Sequence, residues 1–452
     1  MKLVKLYKFI TLEFETPINE YSEWFGYYNY DTLNHDNTKM LCNRATFEGI
    51  APQKGIEIEL GYYDLKREAY HCLDKSDSWN WQQGSMLQWL PGEGNENKVI
   101  YNTSAGNHLI ACIYDISTKE KRRIDWSIYG ITPDGKKSIA LEMERARWCR
   151  AYHYKSIENV EWEGNVVNGD GIFEIDLENN TRRLLIPIQD IIALDADPDF
   201  ADKKHWLEHV MISPNGKRFC FLHRYSDVEN VFQYQTRLCI ADIDGRNLQV
   251  IEGWRKYKWS HFGWKSDNEF VIYTVEQKSG GVVSYYDKIT TEGSAKGTKR
   301  RINIREGVKK LLVSCIRLIP RRWRDRIKGR ANSYQYYKLI NGVWSLINAW
   351  GGELLNIDGH PSFTNDGRYM ITDSYPDYKN NQRLLVFDTM TKKVALLGKF
   401  HGALMGNPAS CDLHPKLSKD NKYVVVDTAY DGRHHMIKYR LNWDRILNKI
   451  SR

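Results

Sequence analysis

Four histidines recur at one kind of place in the chain. His209 (Glu-His-Val-Met-Ile-Ser-Pro), His261 (Trp-Ser-His-Phe-Gly-Trp), His360 (Asp-Gly-His-Pro-Ser-Phe) and His414 (Asp-Leu-His-Pro-Lys-Leu) each stand four or five residues ahead of a polar turn phrase that opens a strand. Imidazole changes charge near neutral pH and is the commonest metal ligand, so four of them converging on one channel suit metal binding or acid–base work. A single histidine is more often a satisfied core residue. The repetition turns the reading toward chemistry.

Other polar groups occur near the far ends of the same strands. They are Arg145 and Arg147 in Met-Glu-Arg-Ala-Arg, Arg224 and Tyr225 after His223, Asp373, Tyr375 and Asp377 in Asp-Ser-Tyr-Pro-Asp, and Arg433 in Asp-Gly-Arg. A guanidinium donates two parallel hydrogen bonds to a carboxylate. In a pocket with His and Tyr it would neutralise a uronic acid and acidify the C5 proton for a neutral imidazole to take. Salt bridging between packed units is the equal competitor for Arg433. The stretch Trp79–Trp89 carries three Trp and three Gln in eleven residues. Aromatic faces with amides are tools for binding sugars, which makes Trp79, Trp81, Gln82 and Gln83 candidates; Trp89 reads as packing. No G-x-S-x-G, P-loop, G-x-G-x-x-G or H-E-x-x-H motif occurs, while paired carboxylates for glycoside hydrolysis, such as Asp373 and Asp377, would leave no local motif.

The elements that must carry these residues are strands. Thr132-Pro-Asp-Gly-Lys, Ser213-Pro-Asn-Gly-Lys, Ser266-Asp-Asn-Glu, Thr364-Asn-Asp-Gly-Arg and Ser418-Lys-Asp-Asn-Lys each lead into an apolar run, and His35-Asp-Asn and Ala105-Gly-Asn-His are weaker copies. The turn pairs supply the positive φ of tight hairpins. A further strand with an aspartate near its end follows, as in Gly171–Leu177, Arg237–Ile243 and Arg383–Thr389. Turn, inner strand, turn, outer strand, in seven copies, predicts an all-β fold: a seven-bladed β-propeller of four-stranded blades, one domain over residues 1–452.

One stretch breaks the pattern. Residues 289–333 hold fourteen Lys or Arg against Glu292, Glu306 and Asp325, about +11 of a total charge of +8, which leaves roughly −3 elsewhere. Within it Leu311, Leu312, Ile316 and Ile319, then Trp323 and Ile327 after Pro320, recur at helical spacing. A basic amphipathic helical insertion between blades is expected, with residues 307–330 docking on anionic membrane or packing on the propeller. Because the basic charge is local, no nucleic-acid partner is expected. Eight cysteines without a CxxC pair read as buried thiols in a reducing compartment. No signal peptide or apolar span of membrane length is seen, so the expected location is cytoplasmic, or peripheral on the inner membrane face.

Ser213-Pro-Asn-Gly-Lys-Arg-Phe, Asp358-Gly-His-Pro-Ser-Phe, Asp373-Ser-Tyr-Pro-Asp, Cys411-Asp-Leu-His-Pro and Tyr430-Asp-Gly-Arg-His-His-Met resemble the TolB-type propellers that include oligogalacturonate lyase, most strongly over residues 165–442. The resemblance implies a cytoplasmic seven-bladed enzyme that cleaves short uronides by β-elimination. It assigns His209 as base and Arg224 as its cationic partner. It implies a divalent metal, manganese or calcium, on His261, His360 and His414. The chain departs from the family at Asp412, two residues before His414, which joins this candidate set in place of a family histidine, and the family's metal-binding glutamine has no clear counterpart. The expected substrate is an acidic oligosaccharide or a lipid-linked glycan. A glycoside hydrolase and a non-catalytic glycan- or protein-binding propeller stand as alternatives, because one fold hosts all three.

Overall fold

The computed structural model describes residues 3–149, 154–158, 160–200, 202–226, 234–276, 332–352, 354–377, 379–404 and 409–451. Seven antiparallel sheets follow one another along the chain. Six are built from consecutive strands, beginning at Ser22–Trp24, Gln88–Trp89, Gly130–Ile131, Lys204–Ile212, Tyr257–Ser266 and Ser362–Phe363. The seventh joins Lys416–Leu417, Tyr423–Thr428 and His435–Leu441 to the N-terminal strand Ile10–Glu15, which pairs with His435–Leu441 as the outermost strand. The ring is thus closed by residues more than four hundred positions apart. The short strand Val4–Leu6 adds a fifth strand to the outer edge of the sixth blade. The fold is a seven-bladed β-propeller.

The turn phrases do repeated physical work. In Thr132–Lys137, Ser213–Arg218, Thr364–Tyr369 and Ser418–Tyr423 the first hydroxyl accepts the backbone N–H five residues on, while the Asp or Asn at the third position accepts the N–H two further along. Side chains thereby satisfy the donors that a tight reversal leaves over. The aspartates at the ends of the third strands do the same: Asp64, Asp115, Asp176 and Asp388 each accept two backbone N–H groups of the next turn. One expectation is corrected in detail. The strand after each turn phrase is the second of its blade, and the innermost strand is the one before it. Ala105-Gly-Asn-His joins the second and third strands of its blade (Lys98–Ala105 to His108–Asp115), not the first two.

The turns between first and second strands, and between third and fourth, lie at one end of the ring, and Ala105–His108 lies at the opposite end. That opposite end also carries the longer connections between second and third strands, including 142–170, 227–233, 277–331 and 374–380. The expected basic helix at 307–330 lies outside the described residues. Of the 289–333 segment, Asn332 and Ser333 are described, and they open the strand Asn332–Ile340 of the fifth blade. Among the described residues no helix is long and apolar enough to cross a membrane. The core lies between blades, where alternate strand residues such as Phe219, Phe221, Val210 and Ile139 are almost fully buried. Each such side chain contributes about 1.5–3 kcal/mol on leaving water.

Candidate active site

The first blade departs from regularity just after its innermost strand. Phe25 to Tyr30 leave the sheet and cross the axis of the ring. The Phe25 and Gly26 N–H groups donate to the Asp427 carboxylate of the seventh blade. Tyr28 donates to the Phe262 carbonyl of the fifth at 2.6 Å, and the Tyr30 hydroxyl reaches the Tyr129 carbonyl at 3.4 Å. Gly26 has a φ of 118°, and a Cβ there would press on the Gln83 backbone. Around this segment the four histidines meet. Tyr27 stacks on His209 at 4.9 Å between ring centroids and stands edge-on to His414 at 5.4 Å. Tyr28 touches the rings of His261, His360 and His414. His360 lies 4.0 Å from His261 and 4.2 Å from His414, centroid to centroid.

Three of these side chains form a donor set. One ligand atom each from His360, Asp412 and His414 lie within 4.8 Å of one another. Carboxylates outside the set orient the rings: Asp373 holds His360 Nδ1 at 2.9 Å, and Asp358 holds His261 Nδ1 at 3.1 Å. Asp373 also accepts the His360 and His414 backbone N–H groups. Gly359 makes this possible, because a Cβ there would collide with the Asp373 backbone carbonyl. What remains is telling. His360 Nε2, His414 Nε2 and Asp412 Oδ1 are buried without a hydrogen-bond partner among the described residues. Buried polar atoms are rarely left so, and a pair of imidazoles, one turned by an outer carboxylate, beside a further carboxylate fits a divalent cation. Electrostatics agree. Burial, then the neighbouring Asp373, pushes the Asp412 carboxyl up to about 7. Burial holds the His360 and His414 rings below their ordinary value, well below for His414. At His261 burial acts the same way but is outweighed by Asp358, Asp412 and Asp373, which raise it.

His209 stands beside this set. It lies in the left-handed region with φ 58°, as does His414 with φ 41°, a costly backbone state for a residue other than glycine. The strand Lys204–Ile212 shifts register between Glu208 and Met211, which places the His209 ring over the channel. Its Nε2 faces Glu208 at 3.3 Å, and its Nδ1 faces the Tyr129 hydroxyl and Gln83 Nε2, both at 3.4 Å. Burial pushes its pKa down to about 4, against the pull of Glu208. Glu208 is shared: the same oxygen pairs with Arg224, and the other accepts from the Trp206 indole at 2.8 Å. The Arg224 guanidinium lies over the Tyr234 ring.

The structure brings together His209, His261, His360, Asp412, His414, Arg224, Gln82, Gln83, Asp373 and Tyr375. Gln82 acts on the Asp412 carboxyl and donates to the Ser410 carbonyl. Tyr375 meets the His261 and His360 rings edge-on at 5.6 and 5.8 Å. Other candidates lie elsewhere. Trp79 and Trp81 are buried against Trp24 and Phe47, with their indoles donating to the Ile56 and Ile50 carbonyls. Arg145 is buried on Asp170 and donates to four backbone carbonyls. Arg147 pairs with Glu163, and Tyr225 packs on Phe200 and His205. Arg433 donates to the Glu20 carbonyl and to Ser22. Asp373 is committed to His360, while Asp377 caps its own turn at Lys379 and Asn381. Glu208, Asp358, Tyr27, Tyr28 and Tyr129 belong to the site without having been singled out in the sequence. The first two adjoin His209 and, through Gly359, His360, which is the one local sign they offered.

No protein-family model matches the chain, and no curated protein sequence matches it. Solved structures do. An oligogalacturonate lyase in complex with manganese superimposes with a TM-score of 0.57 at 14% identity, over 94% of this chain and 92% of that one. An oligogalacturonate lyase from Vibrio parahaemolyticus gives 0.58 at 13% identity, over 97% and 96%. The chain has the fold of the oligogalacturonate lyases. At these identities the likeness is one of fold, and the chemistry rests on the residues.

Proposed function

We propose that the protein is a lyase that cleaves uronic-acid-containing oligosaccharides by β-elimination. The reading rests on one observation: a neutral, buried His209 and the His360–Asp412–His414 donor set lie side by side around the same channel segment. His209 takes the C5 proton. With its Nε2–H donating to Glu208, the lone pair on Nδ1 is the one that accepts, and Glu208 stabilises the imidazolium as it forms. Arg224, over Tyr234 and beside the same Glu208, is the cation for the substrate carboxylate, which competes with Glu208 for the guanidinium. His360, Asp412 and His414, with His261 adjoining, would hold a divalent cation, which would supply Lewis-acid polarisation of that carboxylate. The manganese complex of the fold neighbour makes manganese the first metal to try.

The test is direct. Purified protein with oligogalacturonides should generate the ultraviolet absorbance of a C4–C5 unsaturated product, lost on chelation and restored by manganese. New reducing ends without that absorbance would mean hydrolysis. Neither signal, with retained glycan binding, would mean a binding propeller.

A further inference from the structure

We propose that Tyr375 is the proton donor to the leaving-group oxygen, an assignment that rests on the elimination proposed above. Among the tyrosines around the histidines it stands apart. Tyr27, Tyr28 and Tyr129 are 4%, 3% and 1% exposed. Tyr28 gives its proton to the Phe262 carbonyl, the Tyr129 hydroxyl accepts from Gln83 at 2.9 Å, and the Tyr27 ring is sandwiched against His209. Tyr375 is half-buried, on the 374–380 connection at the long-loop end of the ring.

Its position is fixed from several sides. The Tyr375 N–H donates to the Asp358 carbonyl at 2.7 Å, and the Asp358 side chain orients His261. Pro376 follows and restricts its backbone. The repeat also places it: Tyr375 is the sixth residue after Tyr369, which closes the turn of its blade, and Arg224 is the sixth after Arg218, which closes the turn of the fourth. The two side chains therefore stand at the same level of different blades, and Tyr234, beneath Arg224, is among the groups that face Tyr375. Tyr375 thus stands on the His261–His360 side of the donor set, at the long-loop end of the ring.

The step balances without another reagent. His209 takes the C5 proton, the C5–H electron pair becomes the second bond between C4 and C5, and the C4–O4 bond breaks. O4 takes the Tyr375 proton and leaves as an alcohol. The phenolate and the imidazolium then exchange one proton in and one out with water.

A leaving-group comparison in Tyr375→Phe tests this on the metal-loaded full chain. With an oligogalacturonide, whose alkoxide needs a proton, kcat should fall on the order of a hundredfold with KM little changed. With a galacturonide bearing fluoride at C4, which leaves without one, the variant should approach the wild-type rate. An equal loss on both substrates, or none on the oligogalacturonide, overturns the assignment while leaving the lyase reading intact. A wild-type protein that makes no unsaturated product from either overturns both. An unchanged melting temperature shows that Tyr375→Phe folds.

Discussion

At His209, burial and one neighbouring carboxylate together set the proton state of a single side chain. Burial keeps the ring neutral, and Glu208 sets which nitrogen is left to accept. His209→Ala should abolish turnover with a melting temperature close to wild type, since the ring stacks on Tyr27 rather than filling a strand core. Steady-state rates beside a thermal melt check this; retained turnover removes the assignment, and a large drop in melting temperature favours a packing role. If His209 is the base, kcat/KM should hold steady from neutral pH to about 5 and decline below it, following a pKa of about 4. Around the metal-type set, Asp373→Asn keeps the shape and removes the charge that orients His360. Manganese affinity measured by calorimetry should weaken by about 10–100-fold.

Buried histidines also set the acid stability of the fourth blade. Arg237 Nε donates to His223 Nδ1 at 2.9 Å, so His223 Nε2–H donates to His205 Nδ1, and His205 Nε2–H to the Phe200 carbonyl. This chain pins residues 188–200 to the strands Lys204–Ile212 and Arg218–Ser226, and every ring in it must be neutral. Burial puts His205 at about 4 and His223 well below its ordinary value, against about 6.5 in an unfolded chain. Folded values below the unfolded one mean that the unfolded chain binds more protons. Stability is therefore full above about pH 6.5 and is lost as pH falls toward 4, by up to about 1.4 kcal/mol per pH unit for each ring. Chemical denaturation from pH 7.5 to 4.5 should show the decline, and His223→Gln should flatten it; a level wild-type profile would contradict the neutral chain.

At the scale of elements, closure is the feature with the largest consequence. Ile10 and Phe14 are buried in the strand that completes the seventh blade, while Leu6 on the added fifth strand and Leu3 just before it are exposed. Removing residues through Leu6 should leave one cooperative unfolding transition. Removal through Glu15 exposes the His435–Leu441 edge and should broaden or abolish that transition in a thermal melt. This closing strand was not legible in the sequence, because Ile10–Glu15 carries no turn phrase and pairs with residues at the other end of the chain. The blades were legible, since each turn is built from Ser, Thr, Asp, Asn and Gly acting locally. The histidines were legible for the same reason: they sit at a fixed offset from those turns. Tyr27 and Tyr28 were not, because nothing near them in sequence announces that the chain leaves its sheet there. Trp79, Trp81 and Arg145 look like binding residues in sequence, yet their polar atoms are spent on backbone carbonyls that only the fold brings to them.

For the whole molecule, the two ends of the propeller differ. Glu276 and Asn332, which flank the basic stretch, belong to strands whose partners place them at the long-loop end, alongside Tyr257 at the start of the innermost strand. We propose that residues 307–330 dock on anionic membrane, each Lys or Arg at the surface adding about 1 kcal/mol. Co-sedimentation with vesicles should rise with the fraction of phosphatidylserine and fall with salt. Replacing 307–330 with a short Gly-Ser linker should remove the effect, and binding indifferent to both variables would sink the proposal.

The Phe25–Tyr30 crossing has a kinetic meaning as well. Its contacts reach the third, fourth, fifth, sixth and seventh blades, so it obstructs the axis on which a ring-shaped protein could otherwise thread a chain. Under the lyase activity proposed above, a glycan would enter and depart through the same opening, and each cut would be followed by release rather than by advance along the polymer. Product lengths sampled early in digestion should therefore spread evenly over the substrate pool, the mark of a distributive enzyme, instead of accumulating from a few chains shortened to completion.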